Sequence, residues 1–181
     1  AGACLGVPAV TAHRGLFGSG KITGLTVLIS GGTGRVGRYT LQMAKKAGAL
    51  VISTAGSVEK CVQMQDLGAD YVFNYKTDNI ESAVLEITNG KGVPVVYDGV
   101  GKDTLDGSLE CLAVRGMMIS FGNASGPLSD INVPKMLQPK GLFFVRPAMG
   151  QYLGTSEELN EAAKVLFEKI TSGKVKIEIF K

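Results

Sequence analysis

The run Val27-Leu28-Ile29-Ser30-Gly31-Gly32-Thr33-Gly34-Arg35-Val36-Gly37 constrains this chain more than any other stretch. An apolar segment short enough for one buried strand leads straight into Gly32, Gly34 and Gly37, and a helical pattern begins near Val36. That is G-x-G-x-x-G between a strand and a helix. The spacing has a mechanical reading: Gly32 permits the tight turn, Gly34 lets a phosphate approach the backbone, and Gly37 lets the helix pack closely on its strand. A pyrophosphate placed there would meet uncommitted N–H groups at the positive end of the helix dipole. The same glycines could serve a purely structural turn, so the rest of the chain has to decide.

A helical stretch over residues 3–17 and a loop to about residue 24 precede the first strand. After the glycines, Val36, Thr40, Met43, Ala44 and Ala47 fall on one helical face, opposite Arg38, Gln42, Lys45 and Lys46, and Gly48 ends the helix. Leu50-Val51-Ile52 completes a β-α-β unit. The pattern repeats with helices over 57–67, 78–88 and 103–112, strands over 71–73, 95–97, 117–121 and 142–145, and an amphipathic helix over 156–171. Strands that read as continuous apolar runs between helices predict an α/β fold with a parallel sheet covered on both faces. With right-handed crossovers this is a Rossmann-type, doubly wound, six-stranded sheet ordered 3-2-1-4-5-6, in a single domain spanning residues 1–181. The alternation in Val175-Lys176-Ile177-Glu178-Ile179-Phe180 predicts a further strand, and with no initial Met the chain reads as an excised fragment of a longer protein.

Composition matters mainly for what it excludes. A net charge of +3, with basic residues scattered among acids, argues against a nucleic-acid surface. No apolar run is long enough to span a bilayer, and the first residues lack the pattern of a signal peptide, so a cytoplasmic location is expected. Cys4, Cys61 and Cys111 are too far apart for a zinc knuckle and suggest no disulfide framework, so no metal is expected. His13 has no partner in the sequence that would make it catalytic.

Folds of this kind that prefer NAD place an acid after the second strand, about twenty residues beyond the glycines, to hold the ribose 2′-hydroxyl. Here the segment reads Ser53-Thr54-Ala55-Gly56-Ser57-Val58-Glu59-Lys60: hydroxyls, a helix start and a lysine one turn in. Such a set suits a 2′-phosphate, and NADPH is the expected cofactor, with Ser57 and Lys60 as its contacts. The remaining strand ends supply a rim: Tyr75 beside the adenosine end, Gly99 and Gly101 close to a ribose, Phe121 and Asn123 toward the nicotinamide.

These residues, with Val96-Tyr97-Asp98-Gly99-Val100-Gly101, Ser108-Leu109-Glu110-Cys111-Leu112, Ser120-Phe121-Gly122-Asn123-Ala124-Ser125-Gly126 and Arg146-Pro147, resemble the zeta-crystallin-like quinone oxidoreductases. These are zinc-independent members of the medium-chain dehydrogenase/reductase superfamily, and the similarity covers nearly the whole chain. The resemblance implies an NADPH-dependent reductase of quinones or other activated enones. It also implies a homodimer joined through the edge strand near Leu142 to Val145, and a catalytic domain that lies mostly upstream of this chain. It carries cofactor contacts onto Thr33, Gly34, Arg35, Val36, Ser57, Lys60, Tyr75, Gly99, Phe121 and Asn123, with Arg35 standing where a small residue is usual.

Two other readings stay open. A short-chain reductase shares the glycine loop but ordinarily needs Tyr-x-x-x-Lys, and none of Tyr39, Tyr71, Tyr75, Tyr97 or Tyr152 has a lysine four residues later. A non-catalytic NADPH-binding sensor or structural module would need only the cofactor site. No residue of this chain is assigned a catalytic role.

Overall fold

The protein is described from a computed structural model covering residues 6–17 and 20–177. A six-stranded sheet runs in the order β3-β2-β1-β4-β5-β6, with β1 at Thr26–Ser30, β2 at Leu50–Ala55, β3 at Tyr71–Asn74, β4 at Val93–Asp98, β5 at Leu112–Ser120 and β6 at Phe143–Val145. Every neighbouring pair is parallel, as the sequence pattern predicts. Helices α1 (Val7–Phe17), α2 (Arg35–Lys46), α3 (Val58–Asp66), α4 (Ile80–Ile87) and α5 (Leu105–Glu110) come first in the chain. The short α6 (Val133–Met136) and α7 (Met149–Tyr152) and the long α8 (Ser156–Thr171) follow.

Successive strand residues point to opposite faces and so divide the core in two. Val27 and Ile29 of β1, Val51 of β2 and Tyr97 of β4 pack with Leu16, Leu41, Met43, Ala162 and Leu166 from α1, α2 and α8. Leu28, Ile52, Val96 and Met118 face the other way, onto Val84 of α4 and Leu105 and Leu109 of α5. The Tyr97 hydroxyl donates to the Leu16 carbonyl at 3.4 Å, tying the leading helix to the centre of the sheet. Asp70 joins three elements: its side chain accepts from the Val51 amide at 2.6 Å and pairs with Lys45 at the end of α2 at 2.7 Å. Helix ends follow the expected chemistry, with Gly48 left-handed (φ 83°) after α2 and a Thr155–Glu158 capping box opening α8.

Three local expectations change. The helix over 103–112 is shorter, a 3₁₀ turn at Lys102–Thr104 followed by α5, and Leu112 already belongs to β5. Leu112 pairs with Val93 but Met117 pairs with Val95, so residues 113–116 bulge out opposite Pro94, which has no N–H to offer the ladder. Arg115 turns the bulge with φ 62°. Phe121 lies just past β5 rather than within it. Val175, Lys176 and Ile177 form no strand; the Lys176 amide instead donates to the Gln42 side chain at 2.7 Å. Cys4, residues 3–5 of the expected first helix, Gly18, Ser19 and residues 178–180 of the expected last strand lie outside the described residues. Among the described residues no helix is long and apolar enough to cross a membrane.

His13 on α1 supplies a pH test of this packing. Burial, then Lys169 of α8 and the adjacent Arg14, push its pKa down from 6.5 to about 4, while Glu161 pulls the other way. The fold therefore favours the neutral ring. The resulting stability is complete above pH 6.5 and lost as the pH falls toward about 4. Urea denaturation across that window should show a falling midpoint whose slope is reduced in His13→Asn; an unchanged slope in the variant contradicts the assignment.

Candidate functional site

At the carboxyl edge of β1, the chain must turn from strand to helix within a few residues, and the backbone shows how. Gly31 takes φ 72°, a conformation that side chains disfavour, and so it carries the tight turn expected of Gly32. Gly32 is needed for another reason: a Cβ there would run into Ser53 Oγ and lie 3.0 Å from Met64 Sδ. The corner is held to β2, because the Gly31 amide donates to Thr54 Oγ1 at 3.2 Å and the Gly32 amide to the Thr54 carbonyl at 3.1 Å. Arg38 fixes the loop from outside, with Nε donating to the Thr33 carbonyl at 3.2 Å.

Gly34 then forms the N-cap of α2 in extended geometry (φ −65°, ψ 163°), with no side chain capping the helix. The first turn of a twelve-residue helix is thus open to an anion, where N–H groups and helix dipole act together. Arg35 adds charge at the same place.

This corner is one wall of a cavity of about 670 Å³ that runs along the carboxyl ends of the strands, across the point where the strand order reverses. Of the residues singled out in the sequence, Thr33, Gly34, Arg35, Val36, Gly37, Lys60, Tyr75, Gly99 and Phe121 line it. Lys60 is exposed in the first turn of α3. Tyr75, 48% exposed, lays its ring over Gly56, whose missing side chain makes room for it. On the other side the Phe121 ring packs on Gly99.

Gly32, Ser57, Gly101 and Asn123 are not among the lining residues. Gly32 sits beneath the corner. Ser57 is the N-cap of α3, accepting from the Lys60 amide at 3.4 Å, and its hydroxyl also binds the exposed Glu59 carboxyl, holding it below its ordinary pKa. Asn123 is exposed, and its carbonyl accepts from Gly126 at 3.0 Å in the loop after β5. Of the hydroxyls at Ser53, Thr54 and Ser57, Thr54 alone lines the cavity; Ser53 is buried and bonds to the Ile29 carbonyl at 3.4 Å.

Ser30, Gly31, Val100, Thr104 and Ser108 also line the wall, where the sequence pattern did not place them. Ser30 and Gly31 stood beside the motif, so their signal was proximity. Thr104 and Ser108 had none until the chain folded. Among the described residues no group of three or more His, Cys, Asp or Glu side chains is placed to hold a metal ion.

Comparison with known proteins places this architecture. The family model for zinc-binding dehydrogenases matches residues 36–168. A quinone oxidoreductase from Salmonella typhimurium is 46% identical over 84% of this chain, which covers 46% of that protein. A 2-haloacrylate reductase from a Burkholderia species is 42% identical over 81% of the chain and is covered over 44% of its length. The crystal structure of an Escherichia coli quinone oxidoreductase complexed with NADPH superposes with a TM-score of 0.94 at 37% identity, spanning 98% of this chain and 55% of that one. The chain therefore spans about half the length of the curated relatives it matches.

The two glycines flanking the helix start should respond differently to a methyl group. At Gly37 a Cβ would lie 2.5 Å from the Gly31 carbonyl oxygen and 2.9 Å from Gly32 Cα, backbone atoms that cannot rotate away. Gly37→Ala should therefore cost about 1–3 kcal/mol despite alanine's better helix propensity. At Gly34 the nearest atom is 3.3 Å away, and Gly34→Ala should cost less than about 1 kcal/mol. Chemical denaturation measures both, and equal losses would contradict the packing described.

Proposed function

Since this chain belongs to the zinc-binding dehydrogenase family, we propose that it is the nucleotide-binding domain of a longer two-domain reductase that transfers hydride from NADPH to a quinone or another electron-poor enone. The observation that carries this reading is the uncapped start of α2, opening on a cavity that also presents Lys60 and Tyr75. These residues fit a dinucleotide with a 2′-phosphate. The pyrophosphate is assigned to Thr33, Gly34, Arg35, Val36 and Gly37, where Gly34 leaves room for close approach. Lys60 is assigned to the 2′-phosphate.

Ser57 is kept as a 2′-phosphate contact beside Lys60, and its capping of α3 through the Lys60 amide fixes the turn that carries Lys60. Tyr75 flanks the adenosine, and Gly99 and Phe121 lie toward the nicotinamide ribose. Asn123 is kept as a contact of the loop that follows β5. NADPH, when bound, supplies the hydride; this chain binds it, orients it and shields one of its sides from water. A zinc-independent reaction is part of the same reading.

The proposal extends to assembly and setting. Strand β6 ends the sheet and exposes Phe143 (54%) and Val145 (36%), which supports pairing with the same strand of a second copy. Free thiols at Cys61 and Cys111 suit a reducing cytoplasm. A non-catalytic NADPH-binding module would share every cofactor residue and differ only in turnover.

In the full-length protein, NADPH oxidation with a panel of quinones and enones should show turnover; tight binding without turnover would favour the module. Lys60→Ala should weaken NADPH by about tenfold or more while changing NADH by less than about threefold, as expected for loss of one charge-assisted contact. Equal losses for the two nucleotides would remove Lys60 from the 2′-phosphate site.

A further inference from the structure

Asp98, the last residue of β4, is completely buried, a costly place for a carboxyl group unless its oxygens are satisfied. Four donors satisfy them. Oδ1 accepts from the amides of Val100 at 3.0 Å and Gly101 at 2.8 Å. Oδ2 accepts from the hydroxyls of Thr104 at 2.6 Å and Ser108 at 3.1 Å, and Ser108 lies 3.4 Å from the hydroxyl of Ser30 at the end of β1. A single side chain thus ties together the ends of β1 and β4, the loop after β4 and the first turn of α5.

The same loop is held from its other side. Ser125, in the loop after β5, donates to the Val100 carbonyl through both its amide at 2.8 Å and its hydroxyl at 2.9 Å, and its hydroxyl accepts from the Asp103 amide at 2.9 Å. Gly101 is held at φ 96°, ψ −121°, backbone that a side chain would disfavour. Gly99, Val100, Thr104, Ser108 and Ser125 all face the cavity, so the gripped segment forms its wall. Asp98 itself is fully enclosed behind that wall and is not among the lining residues.

We propose that Asp98 is a positioning residue: through the Val100 and Gly101 amides and the Thr104 and Ser108 hydroxyls, it sets the wall against which the nicotinamide half of the cofactor lies. The assignment rests on the NADPH reading of the cavity. A dinucleotide straddling the reversal of strand order between β1 and β4 puts its adenosine half over β1 and β2 and its nicotinamide half over β4 and β5. The wall held by Asp98 is on the second side, and Lys60 and Tyr75 are on the first. Hydride transfer tolerates little displacement of the reacting ring, so a small shift of this wall changes turnover as well as affinity.

The test compares NADPH with 2′,5′-ADP, which carries only the adenosine half, on the full-length protein. Asp98→Asn keeps the shape but replaces Oδ2 with a group that no longer accepts from Thr104 and Ser108. Thr104→Val removes one donor and leaves the other three in place, and it serves if Asp98→Asn fails to fold. Both variants should weaken NADPH, Asp98→Asn by about tenfold, and lower kcat, while 2′,5′-ADP affinity stays within about twofold. A purely structural role would instead weaken both ligands together or leave both unchanged, and either result overturns the proposal. If the unaltered protein binds neither ligand, the NADPH reading itself fails; if it binds both and the variants do not separate them, only the role of Asp98 does.

Discussion

The first turn of α2 is pressed backbone to backbone against the corner that leads into it, and the placement of everything else at the carboxyl edge of the sheet depends on that contact. A side chain at Gly37 would meet the carbonyl of Gly31 and the Cα of Gly32, so helix and strand approach this closely only because both sides are bare. The approach aims the uncapped end of the helix along the strand edge. Two bonds to Thr54 then lock the corner to β2. The start of α3, with Lys60, follows directly from the end of β2, so the proposed pyrophosphate and 2′-phosphate positions are linked by two adjacent strands.

The two sides of the cavity are built by different physics. On the β1–β2–β3 side the wall is charged and exposed, with Lys60 and the ring of Tyr75 at the surface. A phosphate group there would be recognised by charge, and salt would weaken it. On the β4–β5 side the wall is backbone, fixed by buried hydrogen bonds to Asp98 and by Ser125. Rigidity matters more there than charge, as the proposed orientation of the nicotinamide ring would require.

Much of this was legible in the sequence because the signals were local. Apolar runs of strand length, helical faces such as Val36–Thr40–Met43, and the stop at Gly48 gave the six-stranded order and most of the wall. What escaped depended on contacts between distant segments. Gly31 looked like a neighbour of the motif, yet its backbone makes the turn. Ser57 was read as a phosphate contact, and the folded chain adds a second part for it as the N-cap of α3. The early start of β5 was hidden because Arg115 and Gly116 interrupt its apolar run where the strand bulges opposite Pro94. Asp98 stood in the sequence only as part of the run from Val96 to Gly101, and its bonds to Thr104 and Ser108, with Ser30 behind Ser108, exist only in the folded chain.

The proposed function stands or falls with NADPH binding at this edge of the sheet. Isothermal titration of the full-length protein with NADPH, followed by competition with 2′,5′-ADP, tests it most directly. Saturable binding is expected at one site per chain, displaced by 2′,5′-ADP and weaker for NADH. Absence of binding by both dinucleotides, or binding that 2′,5′-ADP does not displace, would contradict it.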